Sequence, residues 1–157
     1  MTGDVHIRPA TLSDMPQIII LWQWLQETNA VYEPRLKLNA DAVEWFETFL
    51  ASQLNNVNTA VLVAVHGDEI VGYIFAQMMQ RLTLDPKDCG YVADICVRSD
   101  MRGQGIGRRL YNDIRFWFFS HGIREVEVQV VRANPASQAF WRKMGFDEFL
   151  RTLRADI

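Results

Sequence analysis

The segment Val97-Arg98-Ser99-Asp100-Met101-Arg102-Gly103-Gln104-Gly105-Ile106-Gly107-Arg108-Arg109-Leu110 holds the residues whose types and spacing point most directly to chemistry. Glycines alternate at 103, 105 and 107. Glycine lets main-chain N–H groups turn inward and lets a ligand approach closely. A long amphipathic run follows, and the positive end of a helix there suits an anion, phosphate above all. The first turn of a helix normally gains about 0.3–1 kcal/mol from an acidic charge. Here Arg102, Arg108 and Arg109 crowd that end instead. A bound anion turns their repulsion into attraction. The same segment also reads as an ordinary glycine turn with solvated arginines. GxGxxG does not fit, because 108 is Arg and 110 is Leu, and GxxxxGK[ST] is absent. A dinucleotide fingerprint also belongs in an early βαβ unit, whereas this loop follows four expected strands.

Such a loop needs a strand before it and a helix behind it, and the hydrophobic pattern supplies both. Val5-His6-Ile7-Arg8 alternates like a short strand. Thr11 and Ser13 offer helix caps, Asp14 suits a first turn, and Pro16 is tolerated there. A helix is expected from Met15 to Leu25, then a loop or irregular helix link over 28–38. Asn39 caps a second helix whose Val43, Phe46, Phe49 and Leu50 recur on one face. Thr59–Val65 and Ile70–Gln77 read as a hairpin around Gly67-Asp68. A loop around Pro86 leads to a strand at Tyr91–Val97, then the polar turn 98–104 and a helix over 105–121. Val126–Val131 reads as a strand, Pro135 opens a short helix ending at Gly145, and a final strand is expected near 146–154. The order β-α-α-β-β-β-α-β-α-β describes one α/β domain over residues 1–157.

Two motifs carry a resemblance. Arg102-x-x-Gly105-x-Gly107, between a strand and a helix, resembles the acyl-CoA diphosphate loop of the GNAT superfamily of N-acetyltransferases. Asn134-Pro-Ala136-Ser-Gln-Ala139-Phe140-Trp141-Arg-Lys-Met-Gly145-Phe146 resembles a second segment of that superfamily, and Ile7-Arg8-Pro9-Ala10-Thr11-x-x-Asp14 resembles its opening strand and helix. The resemblance implies a mixed central sheet of six to seven strands with helices on both faces. It implies a V-shaped splay between the strand ending at Val97 and the strand 126–131. The pantetheine arm of acetyl-CoA would lie in that slot and pair with the main chain of Ile95 and Val97. The diphosphate would rest on N–H groups of Arg102, Gly103, Gln104, Gly105, Ile106 and Gly107, with Arg108 alongside. Asn134, Ser137 and Phe140 would flank the pantetheine and cysteamine end. An N–H near Ile95 or Cys96 would polarise the thioester carbonyl. The implied reaction is acetyl transfer from acetyl-CoA to a primary amine.

An amine with a pKa of about 10.4 must lose a proton before it attacks. Asp94 is the one carboxylate in the strand beside the slot. A carboxylate in an apolar strand needs a reason, and it resembles the acid at this place in polyamine-type acetyltransferases. It reads as a general base, direct or through water, or as an acceptor of main-chain hydrogen bonds that only shapes the strand. The family's usual proton-donating tyrosine falls at Trp141, whose indole is no acid. Either a thiol of pKa about 8.5 leaves as thiolate, or another tyrosine such as Tyr111 supplies the proton; core packing is the preferred reading of Tyr111. Cys96 reads as a small hydrophobe rather than a nucleophile. His6, His66 and His121 are scattered, so no metal is expected.

The net charge of −3 is unevenly spread. Residues 1–97 hold 5 basic and 12 acidic residues, a balance of −7, and residues 98–157 hold 11 basic and 7 acidic, a balance of +4. The acidic part contains the expected acceptor side, where Glu27 and Glu33 flank Tyr32. These three read as attracting a cationic amine, or as plain surface. Nucleic-acid binding wants a dominant basic surface, which the whole-chain balance lacks. No apolar run approaches the ~18 residues of a membrane span, and the opening MTGDVHIRPA lacks a secretory pattern. Cys89 and Cys96 match no disulfide framework. A cytoplasmic enzyme acting on a small amine is expected, with a homodimer among the expected states. Two other readings stay open: an acyl-CoA-sensing domain that transfers nothing, and an acetyltransferase of protein N-termini or lysines.

Overall fold

The computed structural model describes residues 4–157; Met1–Gly3, where the segment read for a leader begins, lie outside the described residues. Strands β1 (Val5–Pro9), β2 (Thr59–His66), β3 (Glu69–Gln80), β4 (Asp88–Val97) and β5 (Val126–Val128) form one sheet in chain order. All neighbours are antiparallel except β4 and β5, which run parallel. Helices α1 (Met15–Tyr32) and α2 (Ala42–Gln53) cover one face, and α3 (Ile106–Ser120) and α4 (Pro135–Lys143) the other.

The sequence explains this layering. In β3, Ile70, Tyr73 and Phe75 enter the core under α1 and α2, while Val71, Ile74 and Ala76 enter the core under α3. A strand buried on both faces reads as an unbroken apolar run. The hairpin turns at Gly67, whose φ of 61° lies in the left-handed region that glycine enters freely. Among the described residues, no helix is long and apolar enough to cross a membrane.

The structure corrects three expectations. Helix α1 does not stop near Leu25 but continues to Tyr32. Nothing in 26–33 breaks a helix until Pro34 does. The sheet has five strands, not six to seven. Residues 146–157 form no strand, and Phe149, Leu150 and Leu153 lie exposed. At period two this segment offers Asp147, Phe149, Arg151 and Leu153 on one side and Glu148, Leu150, Thr152 and Arg154 on the other. Neither set is an apolar face that docking would bury. Strand β5 ends at Val128 rather than near 131, because its partner turns away there.

That turning away is the splay. Strands β4 and β5 pair only between Gly90–Val92 and Val126–Val128. On its other side β4 slips register: Phe75 faces Asp94 but Ala76 faces Val92, so Ala93 has no counterpart. This β-bulge bends the strand. It also leaves Val92 and Ile95 both on the α3 face, with Ala93 and Cys96 on the α1 face.

Gly90 sits where β4 and β5 begin to pair, its N–H donating to the Glu125 carbonyl at 2.8 Å. A Cβ at Gly90 would lie 2.7 Å from the Phe118 ring. Overpacking of this kind costs about 1–3 kcal/mol. We expect Gly90→Ala to lower the thermal midpoint by roughly 2–12 °C, read by differential scanning calorimetry; an unchanged midpoint would show that α3 yields freely.

Candidate active site

The glycine loop leaves a run of donors free. Among the described residues, no main-chain N–H from Arg102 to Arg108 donates to a protein acceptor, and the first to do so is Arg109, to the Gly105 carbonyl at 3.0 Å. The loop gets this shape from Gly103 and Gly105, with φ of 74° and 78°. Gly105 caps α3 in the left-handed conformation. Alternating left-handed residues turn successive N–H groups into one concavity that suits an anion. Gly107 matters for a different reason: a Cβ there would lie 3.2 Å from the Phe140 ring, so that the ring would have to give way.

The three arginines, read together in the sequence, part company. Arg109 donates to the Val5 carbonyl at 2.7 Å and ties α3 to β1. Arg102 folds back from the loop. Its Nε donates to the Val97 carbonyl at 3.2 Å, and its guanidinium lies 4.3 Å from the centre of the Trp24 ring on α1. Arg108 is exposed on the first turn of α3.

From the loop the site continues along the open edge of β4. The Arg98 N–H donates to the Val71 carbonyl at 2.8 Å, which fixes the phase of the ladder. Hydrogen-bonded pairs alternate along antiparallel strands. The main chain of Cys96 therefore faces Tyr73 on β3, while Ile95 and Val97 turn theirs toward the splay. This corrects the expectation for Cys96. Its N–H is directed into the sheet, and its thiol donates to the Leu21 carbonyl at 3.5 Å. Burial pushes that thiol up to about 12, so it stays protonated.

The splay holds a cleft of about 70 Å³. Leu25 and Asn29 of α1 line it from one face, Ser137 and Trp141 of α4 from the other, and Asp94 and Ile95 at its root. Asp94 is half-buried, and desolvation raises its carboxyl to about 6, against the lowering effect of the nearby Tyr73 hydroxyl. It has the pKa of a base that is ionised at neutral pH and can still take a proton.

On the α4 side, Asn134 caps the helix by accepting from the Ser137 N–H at 3.2 Å. Trp141 is buried in an aromatic cluster, with ring centres 5.3 Å from Tyr111, 5.0 Å from Phe140 and 4.8 Å from Phe146. Tyr111 is buried in this core, and desolvation raises its hydroxyl above the ordinary value.

The acceptor-side candidates divide. Glu33 accepts from the Arg35 guanidinium at 2.7 and 2.9 Å, which holds its carboxyl down at about 2. Its charge is already matched. Tyr32 shares the helical stripe of Leu25 and Asn29, whereas Glu27, two residues from each, points elsewhere. Asn29 lines the cleft but is not legible from the sequence, because 28–38 reads as a link. Its i+4 spacing from Leu25 is the signal that finds it. Among the described residues, no three His, Cys, Asp or Glu side chains come together as a metal site.

A family model described as Acetyltransferase (GNAT) family matches residues 19–146. The chain belongs to this family. L-2,4-diaminobutyric acid acetyltransferase of Shouchella clausii (strain KSM-K16) is 36% identical over 83 residues, which are 53% of this chain and 44% of that protein. The match thus spans less than half of that relative. A crystal structure described as a predicted acetyltransferase with acetyl-CoA, from Clostridium acetobutylicum, superposes with a TM-score of 0.80 at 13% identity, covering 98% of this chain and 96% of that one. An aminoglycoside acetyltransferase from an uncultured soil metagenomic sample, in complex with sisomicin, gives 0.71 at 23% identity with the same coverage. Both likenesses are of fold.

Replacing Gly105 by Ala meets no atom within 4 Å but forces a side chain to a φ of 78°. The left-handed region costs a non-glycine residue about 1–2 kcal/mol. Gly105→Ala is therefore expected to weaken CoA binding about tenfold, measured by isothermal titration calorimetry, while CoA lacking its diphosphate loses nothing further.

Proposed function

We propose that this chain is an N-acetyltransferase that moves an acetyl group from acetyl-CoA to the primary amine of a small cationic acceptor. Attack is direct, with both substrates bound. The observation that carries the proposal is the run of seven unpartnered N–H groups that leads onto the open edge of β4, with Asp94 at its root. Bound acetyl-CoA supplies an activated thioester. The remaining work falls to this chain. The N–H groups of 102–108 hold the diphosphate. The outward main chain of Ile95 and Val97 pairs with the pantetheine arm, and Asn134, Ser137 and Phe140 flank it. The Ile95 N–H faces the carbonyl that gains negative charge. Asp94 takes the amine proton, directly or through one water.

Trp141 leaves the thiol without a proton donor at the family's usual place. A thiol of pKa about 8.5 leaves as thiolate near neutral pH, so the reading needs no acid. A cationic acceptor is favoured by the acidic balance of residues 1–97 and by the substrate and ligand named for two similar proteins, diaminobutyric acid and sisomicin. With Glu33 matched by Arg35, the attraction falls to the wider acidic surface and to Asp94. The buried Trp141 also favours a second reading, an acyl-CoA-binding domain that transfers nothing. A cytoplasmic location and a homodimer belong to the main reading and are checked by fractionation and by mass in solution.

A panel of cationic, neutral and anionic amines with acetyl-CoA, followed by free-CoA detection, tests the proposal. Release of CoA with cationic amines is expected. Release only with neutral or anionic amines overturns the acceptor class, and no release with any amine favours the binding domain. With a base of pKa about 6, turnover should fall as pH drops through 6, since the protonated carboxyl accepts no proton. Asp94→Asn should lower kcat by roughly 10²-fold or more; wild-type turnover in that variant would remove Asp94 from catalysis.

A further inference from the structure

Tyr73 is the largest fully buried side chain, in the middle of the central strand β3. Among the described residues its hydroxyl has no hydrogen-bond partner. Buried hydroxyls almost always find a partner, because an unpaired one loses its hydration for nothing. A phenylalanine would fill the same space without that cost, so the oxygen needs an explanation.

The sheet register supplies one. Tyr73 lies directly across from Cys96, and Asp94 is two residues further along β4, so the two are diagonal neighbours. The bulge at Ala93 returns Asp94 to the α1 face, the face into which Tyr73 points. Two neighbouring groups on this face are already engaged. The Cys96 thiol is held by the Leu21 carbonyl, and the Thr28 hydroxyl by the Trp24 carbonyl. The phenol lies close enough to Asp94 to influence that carboxyl without completing a hydrogen bond.

We propose that Tyr73 is a positioning residue for Asp94: its hydroxyl donates to the ionised carboxylate and holds one oxygen, leaving the other turned to the cleft. This rests on the reading of Asp94 as the base. The hydroxyl itself stays protonated throughout, since burial raises it well above its ordinary value. It acts as a fixed donor and not as an acid. The titratable groups facing Asp94 are few. Tyr73 comes from β3, and Tyr91 and Cys96 from β4, with Arg102 beyond Cys96. Helices α1 and α2 bring Leu25, Asn29 and Phe49 to this side, and none of them titrates. Among the described residues, Tyr73 is thus the hydroxyl donor that the sheet brings to the face of the carboxylate. A donor to the charged form favours ionisation, and it offsets part of the desolvation that burial imposes.

Tyr73→Phe removes one oxygen from a close-packed site and should keep the fold. In ligand-free protein, the Asp94 carboxyl followed by carbon NMR should titrate roughly half to one unit higher in Tyr73→Phe. In turnover, the acid limb should move up with it, kcat should fall several-fold, and the KM for acetyl-CoA should stay unchanged. In the Asp94→Asn background, Tyr73→Phe should have no further effect on kcat. Unmoved titration and an unmoved acid limb in Tyr73→Phe, with activity lost in Asp94→Asn, overturn the positioning role alone. Full activity in Asp94→Asn instead overturns the base, and a still-shifted NMR titration would then leave the Tyr73 contact as a structural one.

Discussion

Past Val92, strand β4 has no strand on its β5 side, and the rest of the site follows from that gap. Main-chain groups inside a protein must find partners. Those of Ile95 and Val97 face a cleft lined on one side by α1 and on the other by α4. Arg102 covers one of them, the Val97 carbonyl, and the edge as a whole is shaped for an extended chain. Topology then places the second half of the site. Parallel strands need a long crossover, and α3 is that crossover between β4 and β5. Its N-terminus therefore begins just beyond the C-terminal end of β4. The open edge and the loop of free N–H groups are contiguous by construction, in keeping with the general placing of ligands at the carboxyl ends of parallel strands.

Charge is distributed more economically around the loop than composition suggests. Three arginines near one helix end look like a cationic trap. Only Arg108 stays in that role, because Arg109 holds β1 and Arg102 lies on Trp24. The main chain, not the side chains, then presents the donors. Backbone donors keep their position without the rotamer entropy that long side chains lose on binding. The same economy holds at Asp94. Among the described residues it has no cationic partner, and its ionisation is governed by burial and by a hydroxyl.

Much of this was legible in the sequence. The glycine loop, the hairpin, the strand ahead of the loop and the cap at Asn134 each rest on local chemistry, and local chemistry is what a sequence displays. Asp94 stood out because a carboxylate interrupts an apolar strand. What escaped was relational. Cys96 and Ile95 look interchangeable until the ladder phase is known. Glu33 looks free until Arg35 folds onto it. Arg109 reads as part of the loop until its guanidinium reaches Val5, more than a hundred residues away. Helix α1 ran past its expected end because polar residues 26–29 resemble a link, although nothing among them forbids helix. The last strand was expected near 146–154, yet charged residues interrupt both of its faces.

The bulge in β4 acts as a parity switch. Side chains alternate along a strand, and one residue without a counterpart lets those on either side of it keep the faces their partners dictate. With Ala93 in place, Asp94 and Cys96 lie toward α1, and Ile95 and Val97 toward α3. A regular ladder with Ala93 paired to Phe75 would keep the same strand and the same composition. It would turn the carboxylate toward the α3 face and Ile95 toward the α1 face. The placing of the carboxylate is thus set by a slip in pairing, and an alanine with no chemistry of its own absorbs it.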